Sequence, residues 1–383
     1  MTPEPLFGPK RADLPFYRKL REVRWLVVLV IIAIAVIGFA MLYSVAGGDW
    51  RPWALRQVIR FAIGLALMLA VAVVHIRVWW GLAYPIYIAA LILLVVVEIM
   101  GEIGMGAQRW IDLGFFLLQP SEVMKIALVL ALARYFHSHE TVEIRHLKTL
   151  IIPALLVAAP VALVLRQPDL GTALLIALGG AGMFFLAGAP ARLFGVAIGL
   201  GLAAIPVGWQ FLRDYQKDRV LTFLNPESDP LGAGYHIMQS KIALGSGGLL
   251  GRGFLQGTQS HLNFLPEKQT DFIFTMLAEE FGLIGGLILL ALYTALFLYG
   301  GAIGLQARNQ FGRLLALGVT LTLFLYVFIN IAMVMGLVPV VGVPLPLVSY
   351  GGTAMLTLMI GMGLVLSVHI HRDVTISRSG VVR

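Results

Sequence analysis

Three sets of charged side chains stand inside or beside long apolar runs. In TDFIFTMLAEEFG, Asp271, Thr275 and Glu279 recur at i, i+4 and i+8, a spacing that puts them on one helical face. In QPSEVMK, Glu122 and Lys125 stand three apart, again on one face. Arg56, Arg60, Arg109 and Arg166 flank the ends of apolar runs. Buried carboxylates and ammonium groups cost several kcal/mol at membrane depth unless they pair or face a cavity, so each set calls for a partner or a ligand. Guanidinium groups suit phosphate oxygens, and a phosphate-bearing lipid is one ligand that would gather them. Snorkelling to ordinary headgroups is the other account of the same arginines.

Each set also has a plainer reading. An aspartate at a helix start caps backbone N–H groups, which accounts for Asp271 but not for Glu279 about two turns deeper. A polar seam between helices accounts for both, and Gly282 beside that face lets another backbone approach. Glu122 and Lys125 either neutralise each other within one helix or hold an anion and tune a carboxylate across the bundle. Spacing alone leaves both open. Lys241 lies in HIMQSKIALG, whose apolar positions read as a short amphipathic helix at a membrane interface. The run GSGGLLGRG lacks the strand and the Gly-Lys-Ser/Thr of a nucleotide loop and reads instead as a tight re-entrant turn. His137 and His139 have no carboxylates at a converging spacing, so no metal site is expected there.

The elements that must position these groups follow from composition. Of 383 residues, 59% are hydrophobic and 13% charged, with a mean hydropathy of +0.89. Soluble domains are about 45–50% apolar and about 25% charged. The chain reads as an all-α polytopic membrane protein with about ten transmembrane helices, near 25–47, 54–75, 79–100, 120–137, 148–166, 171–188, 192–212, 272–303, 312–336 and 350–370. A basic segment, 1–24, precedes the membrane domain, 25–370, and a tail, 371–383, follows it. A large extracytoplasmic loop, 213–271, separates the seventh and eighth spans. Lys10, Arg11, Arg18, Lys19, Arg21 and Arg24 before the first span put the N-terminus in the cytoplasm, and an even span count returns the C-terminus there. The N-terminal segment has no signal-peptide cleavage pattern. The net charge of +8 is scattered over loops, which argues against a nucleic-acid partner. With no cysteines, disulfides and cysteine-bound metals are excluded.

The ordered set GAQRWIDLG, QPSEVMK, RQPDLGT, NPESDPLGAGYHIMQSKIALGSGG, GTQSHLNFLPEKQTDFIFTMLAEEFG and GLVPVVGVPLPLVSYGG resembles the SEDS family of bacterial shape, elongation, division and sporulation proteins. Its outer-loop motifs are most similar to the elongation (RodA) branch, and the resemblance runs from the first span to the last. It implies a ten-helix peptidoglycan glycosyltransferase in the bacterial cytoplasmic membrane. Such proteins polymerise lipid II, a disaccharide-peptide on undecaprenyl pyrophosphate, beside a class B penicillin-binding protein and other elongation-complex proteins. The family's essential loop aspartate falls on Asp271, its fourth-helix pair on Glu122 and Lys125, and its GAQRW arginine on Arg109. An α-linked donor and a β-1,4 product imply inversion, with Asp271 as general base. Lys125, Arg109, Arg56 and Arg219 are the cations expected near the pyrophosphate, with Lys241 and Glu279 as further substrate contacts. A divalent cation, magnesium or manganese, could share that task. The alternative from another class is a lipid II flippase, for which charges within spans would mark a path.

Overall fold

The computed structural model describes residues 15–100, 102–104, 107–112, 114, 117–211, 214–225, 233–257 and 267–378. A short helix α1 (Phe16–Glu22) leads into α2 (Trp25–Val45), α3 (Ala54–Val73) and α4 (Ile76–Met100). A small antiparallel sheet follows, with strands β1 (Glu102–Gly104), β2 (Ala107–Asp112) and β3 (Leu117–Leu118) in that order. Next come α5 (Pro120–His137), α6 (Leu147–Arg166), α7 (Leu170–Ala187) and α8 (Ala191–Phe211). The long loop holds α9 (Asp214–Leu224) and α10 (Ala233–Ser246), and the chain ends with α11 (Ile273–Gln306), α12 (Gln310–Val334) and α13 (Gly352–Ile370). No boundary of the expected spans differs from these helices by more than three residues. The sheet and α9 are additions that hydropathy did not signal.

Among the described residues, nine helices are long and apolar enough to cross a membrane. The tenth long helix, α5, carries Glu122, Lys125 and Arg134, and its position explains how it carries them. All its residues but Val123 and Arg134 are buried, with α4, α6, α7, α12 and α13 packed around it. A helix hidden from lipid on every side has no need of an apolar surface, only of partners for its charges. Helix α8 is the opposite case. No residue of its most apolar stretch is buried, so lipid solvates it all round. The chain is a multi-pass membrane protein.

Helix α11 breaks at Gly282, where φ is 66° and ψ −162°. The break frees the carbonyls of Glu279 and Glu280 and the amides of Leu283 and Ile284 inside an apolar setting, where unpaired groups are costly. The glycine run after α10 takes all four. Arg252 N donates to Glu279 O and Gly253 N to Glu280 O, each at 3.0 Å. Leu283 N donates to Gly248 O at 2.9 Å and Ile284 N to Leu249 O at 3.2 Å. Such contact demands glycine: a Cβ on Gly247 would stand 2.0 Å from Ala278 O, and one on Gly251 2.2 Å from Glu280 O. The GSGGLLGRG run is thus a backbone clamp on α11. Glu280 adds to it, its buried carboxylate accepting from Ser44 Oγ and from Leu255 N at 3.3 Å.

Gly251→Ala combines that clash with a left-handed φ of 80°. It should destabilise the protein by about 1–3 kcal/mol, read as a lower thermal unfolding midpoint in detergent, whereas Gly245→Ala, which meets nothing within 4 Å, should leave it unchanged.

Candidate active site

Asp271 closes a turn rather than opening a helix. The turn runs from Glu267 to Phe272, with Thr270 N donating to Glu267 O at 3.0 Å and Thr270 Oγ1 to Glu267 Oε2 at 3.0 Å. Helix α11 starts two residues later than the i, i+4, i+8 reading requires, so Asp271 does not share a helical face with Thr275 and Glu279. The cause is tertiary. Three successive carbonyls are taken by donors outside the turn: Gln269 O by Tyr350 N at 2.8 Å, Thr270 O by Ser349 Oγ at 2.6 Å, and Asp271 O by Asn330 Nδ2 at 2.9 Å. Asn330 Nδ2 also donates to Val343 O at 2.6 Å, and Ser349 Oγ accepts from Leu345 N at 2.7 Å. The segment between α12 and α13 therefore grips the Asp271 turn from below. Gly342, at φ 70°, leaves room beside the carboxylate, since a Cβ there would lie 3.5 Å from Asp271 Oδ2. Lys268 stands in the same turn, and partial burial draws its pKa below the ordinary lysine value.

Below α11's first turns the polar seam is real but differently composed. Thr275 and Glu279 are wholly buried. The hydroxyls of Thr275 and Ser240 lie 2.9 Å apart, and Ser240 Oγ donates to Val334 O at 2.8 Å, which pins α10 against α11 and α12. The fourth span does not supply Glu279 with a partner: Lys125 is engaged elsewhere.

Glu122 and Lys125 form their own cluster with Tyr326 of α12. Their relative exposures are 4%, 5% and 1%. Lys125 Nζ donates to Glu122 Oε1 at 2.7 Å and to the Tyr326 hydroxyl, whose own proton goes to Glu122 Oε2. The ammonium also lies 4.3 Å from the Tyr326 ring centroid. A buried ion pair is stabilised only when its remaining donors and acceptors are satisfied, and here a third group does so. Arg109 on β2 reaches the start of α7, with Nε 3.4 Å from Asp169 Oδ2 and Nη2 donating to Pro168 O at 3.3 Å. Asp169 is buried and caps α7, accepting from Thr172 N at 3.1 Å and Thr172 Oγ1 at 2.9 Å.

Of the other candidates, Arg56 is exposed in the first turn of α3 and Lys241 exposed on α10. Arg219 belongs to α9, and its side chain lies outside the described residues. Arg60, one turn below Arg56, packs 4.9 Å from the Tyr350 ring centroid. Among the described residues no three His, Asp or Glu side chains gather as metal ligands. The sequence reading did not single out Asp169, Tyr326, Lys268, Asn330 or Ser349. Asp169 had a signal in its capping spacing to Thr172. Tyr326 and Asn330 had one in being polar groups at i and i+4 within an apolar run.

Comparison with known proteins fits this geometry. The sequence model of FtsW, RodA and SpoVE, described as cell cycle proteins, matches residues 24–374. The chain belongs to this SEDS family. It is 52% identical over 345 residues to the peptidoglycan glycosyltransferase MrdB of Escherichia coli K12, covering 90% of this chain and 92% of that one. The peptidoglycan glycosyltransferase RodA of Treponema pallidum is 32% identical, covering 92% of this chain and 98% of that one. The crystal structure of Thermus thermophilus RodA superimposes with a TM-score of 0.70 at 31% identity, covering 92% and 98%. A chain from a structure described as "Structural coordination of polymerization and crosslinking by a peptidoglycan synthase complex" gives 0.78 at 34%, covering 91% and 98%.

Asn330→Ala leaves the carbonyls of Asp271 and Val343 without their donor. It should destabilise by about 1–3 kcal/mol and speed amide hydrogen exchange in residues 267–272 in particular, measured by mass spectrometry against wild type.

Proposed function

We propose that this SEDS protein is a peptidoglycan glycosyltransferase that polymerises lipid II for cell elongation, with Asp271 as its general base. The observation that carries the reading is a half-buried carboxylate on a turn anchored through three successive carbonyls, in a chain 52% identical to a curated peptidoglycan glycosyltransferase. A base must be held to a fraction of an ångström, and anchoring by backbone does that.

The chemistry follows from the bond made. The acceptor 4-hydroxyl attacks the anomeric carbon of an α-linked glycosyl pyrophosphate, and the β-1,4 bond forms as the pyrophosphate bond breaks. Inversion in one displacement needs no enzyme nucleophile. Asp271 takes the hydroxyl proton, and the departing undecaprenyl pyrophosphate takes the electron pair. Its growing charge is met by cations, of which Lys125 and Arg109 are held by buried carboxylates while Arg56 and Lys241 are exposed at the surface. Arg219 is a further candidate from α9. A magnesium or manganese ion could share that task, bound through the substrate's phosphates.

In this reading the Asp271 end of the bundle faces outward from the bacterial cytoplasmic membrane and both termini lie in the cytoplasm. The partner is a class B penicillin-binding protein that crosslinks the strands, within the elongation complex.

Asp271→Asn should lower polymerisation by about 10²–10⁴-fold. The assay is gel separation of glycan strands from fluorescent lipid II in liposomes, with the transpeptidase present but inhibited. Undiminished strands from the variant would remove the base assignment. Absent strands from both, with lipid II crossing between leaflets only in wild type, would mean a flippase.

A further inference from the structure

We infer that Tyr326 is a positioning residue for glycosyl transfer, its hydroxyl fixing the Lys125 ammonium where it meets the leaving pyrophosphate and registering it to the Asp271 turn through α12. This rests on the reading above, in which Lys125 meets phosphate charge.

A lysine on a four-carbon stem is a mobile point charge, and a carboxylate three residues away on the same helix is a partner it can reach in several rotamers. Tyr326 removes that freedom. A phenol has one proton to give and lone pairs to receive with. Its proton occupies Glu122 Oε2, leaving Oε1 for the ammonium, and its oxygen accepts a second ammonium N–H. Two of the three N–H groups of Lys125 are thereby assigned, and the third remains for a substrate oxygen. The ring cannot swing away. Tyr326 is 1% exposed, and beside it lies a cavity of about 10 Å³, room for at most one water, lined also by Leu345, Ser349 and Met355.

The same helix face reaches the base. Asn330, one turn on from Tyr326, holds the Asp271 carbonyl at 2.9 Å, and Ser349, on the wall of that cavity, holds the Thr270 carbonyl at 2.6 Å. Four residues of α-helix rise about 6 Å, a spacing that hardly varies. Base and cation come from distant parts of the chain, on α5 and before α11, and α12 is the element that touches the supports of both. The groups that bear on Lys125 and Tyr326 are Glu122 from α5 and Asp169 from α7, the latter tied to Arg109.

The test is a double-mutant cycle on the full-length protein with Tyr326→Phe, which keeps the ring, and Lys125→Met. One readout is the Kd of undecaprenyl pyrophosphate for monodisperse protein in detergent, with undecaprenol as the uncharged control. The other is strand formation from lipid II in the liposome assay. Tyr326→Phe should weaken pyrophosphate binding about tenfold and slow polymerisation by about 10–10²-fold, without changing undecaprenol binding. In the Lys125→Met background it should weaken pyrophosphate binding no further. Losses that multiply in the double variant would mean a merely structural tyrosine and would overturn the inference. So would wild-type binding and turnover in Tyr326→Phe, or wild-type pyrophosphate binding in Lys125→Met. Asp271→Asn, run alongside, separates the two levels: if it is inactive while Tyr326→Phe is normal, only the positioning inference fails. If Asp271→Asn is fully active, the reading beneath it fails.

Discussion

Backbone that leaves helical form inside a lipid-solvated bundle has no water to turn to, and this constraint governs the end of the molecule that carries Asp271. Two non-helical pieces meet there, the Glu267–Phe272 turn and the segment between α12 and α13, and a third, the break in α11 at Gly282, lies further along that helix. Each leaves amides or carbonyls unpaired, and each is completed by another piece. Ser349, Tyr350 and Asn330 complete the turn, while the glycine run after α10 completes the break. The turn and the segment between α12 and α13 are bonded to each other, so neither can shift alone. That bonding gives Asp271 a fixed address.

Charge is handled by the same logic of enclosure. The bundle puts its most polar span, α5, at its centre and its least buried span, α8, in lipid. At the centre Glu122, Lys125 and Tyr326 satisfy one another, and Asp169 serves Arg109 and the first turn of α7 together. Removing one member of such a set strands the others. A buried cation with two of its three donors assigned is also an ordered cation, and order is what stabilising a developing charge requires.

Much of this was legible from local pattern. Nine spans follow from apolar length, and α5, which carries charges, is marked by Pro120 at its first turn. The glycine run was identifiable as a backbone device because its motif lacks what a phosphate loop needs. The pairing of the clusters was not legible, for a physical reason. Tyr326 meets Glu122 across 204 positions and Ser349 meets Thr270 across 79. No periodicity encodes which of several apolar helices will face another. The start of α11 was misplaced for the same cause: local propensity permits a helix from Asp271, and donors on α12 and the following segment overrule it.

These strands converge on α12. In the proposed mechanism, inverting transfer asks for one carboxylate and at least one cation on opposite sides of a reacting carbon, at a fixed separation. Two loops could not hold such a separation, and two helices packed only by apolar contact would slide. Here a single helix bonds to the Glu122–Lys125 pair with one side chain and to the Asp271 backbone with another, one turn apart. In that proposal the distance between the Asp271 turn and the Lys125 cluster is set by helix pitch, the least compliant length a polypeptide offers. The polar residues of α12, which look like packing when taken singly, acquire their meaning as the two ends of that ruler.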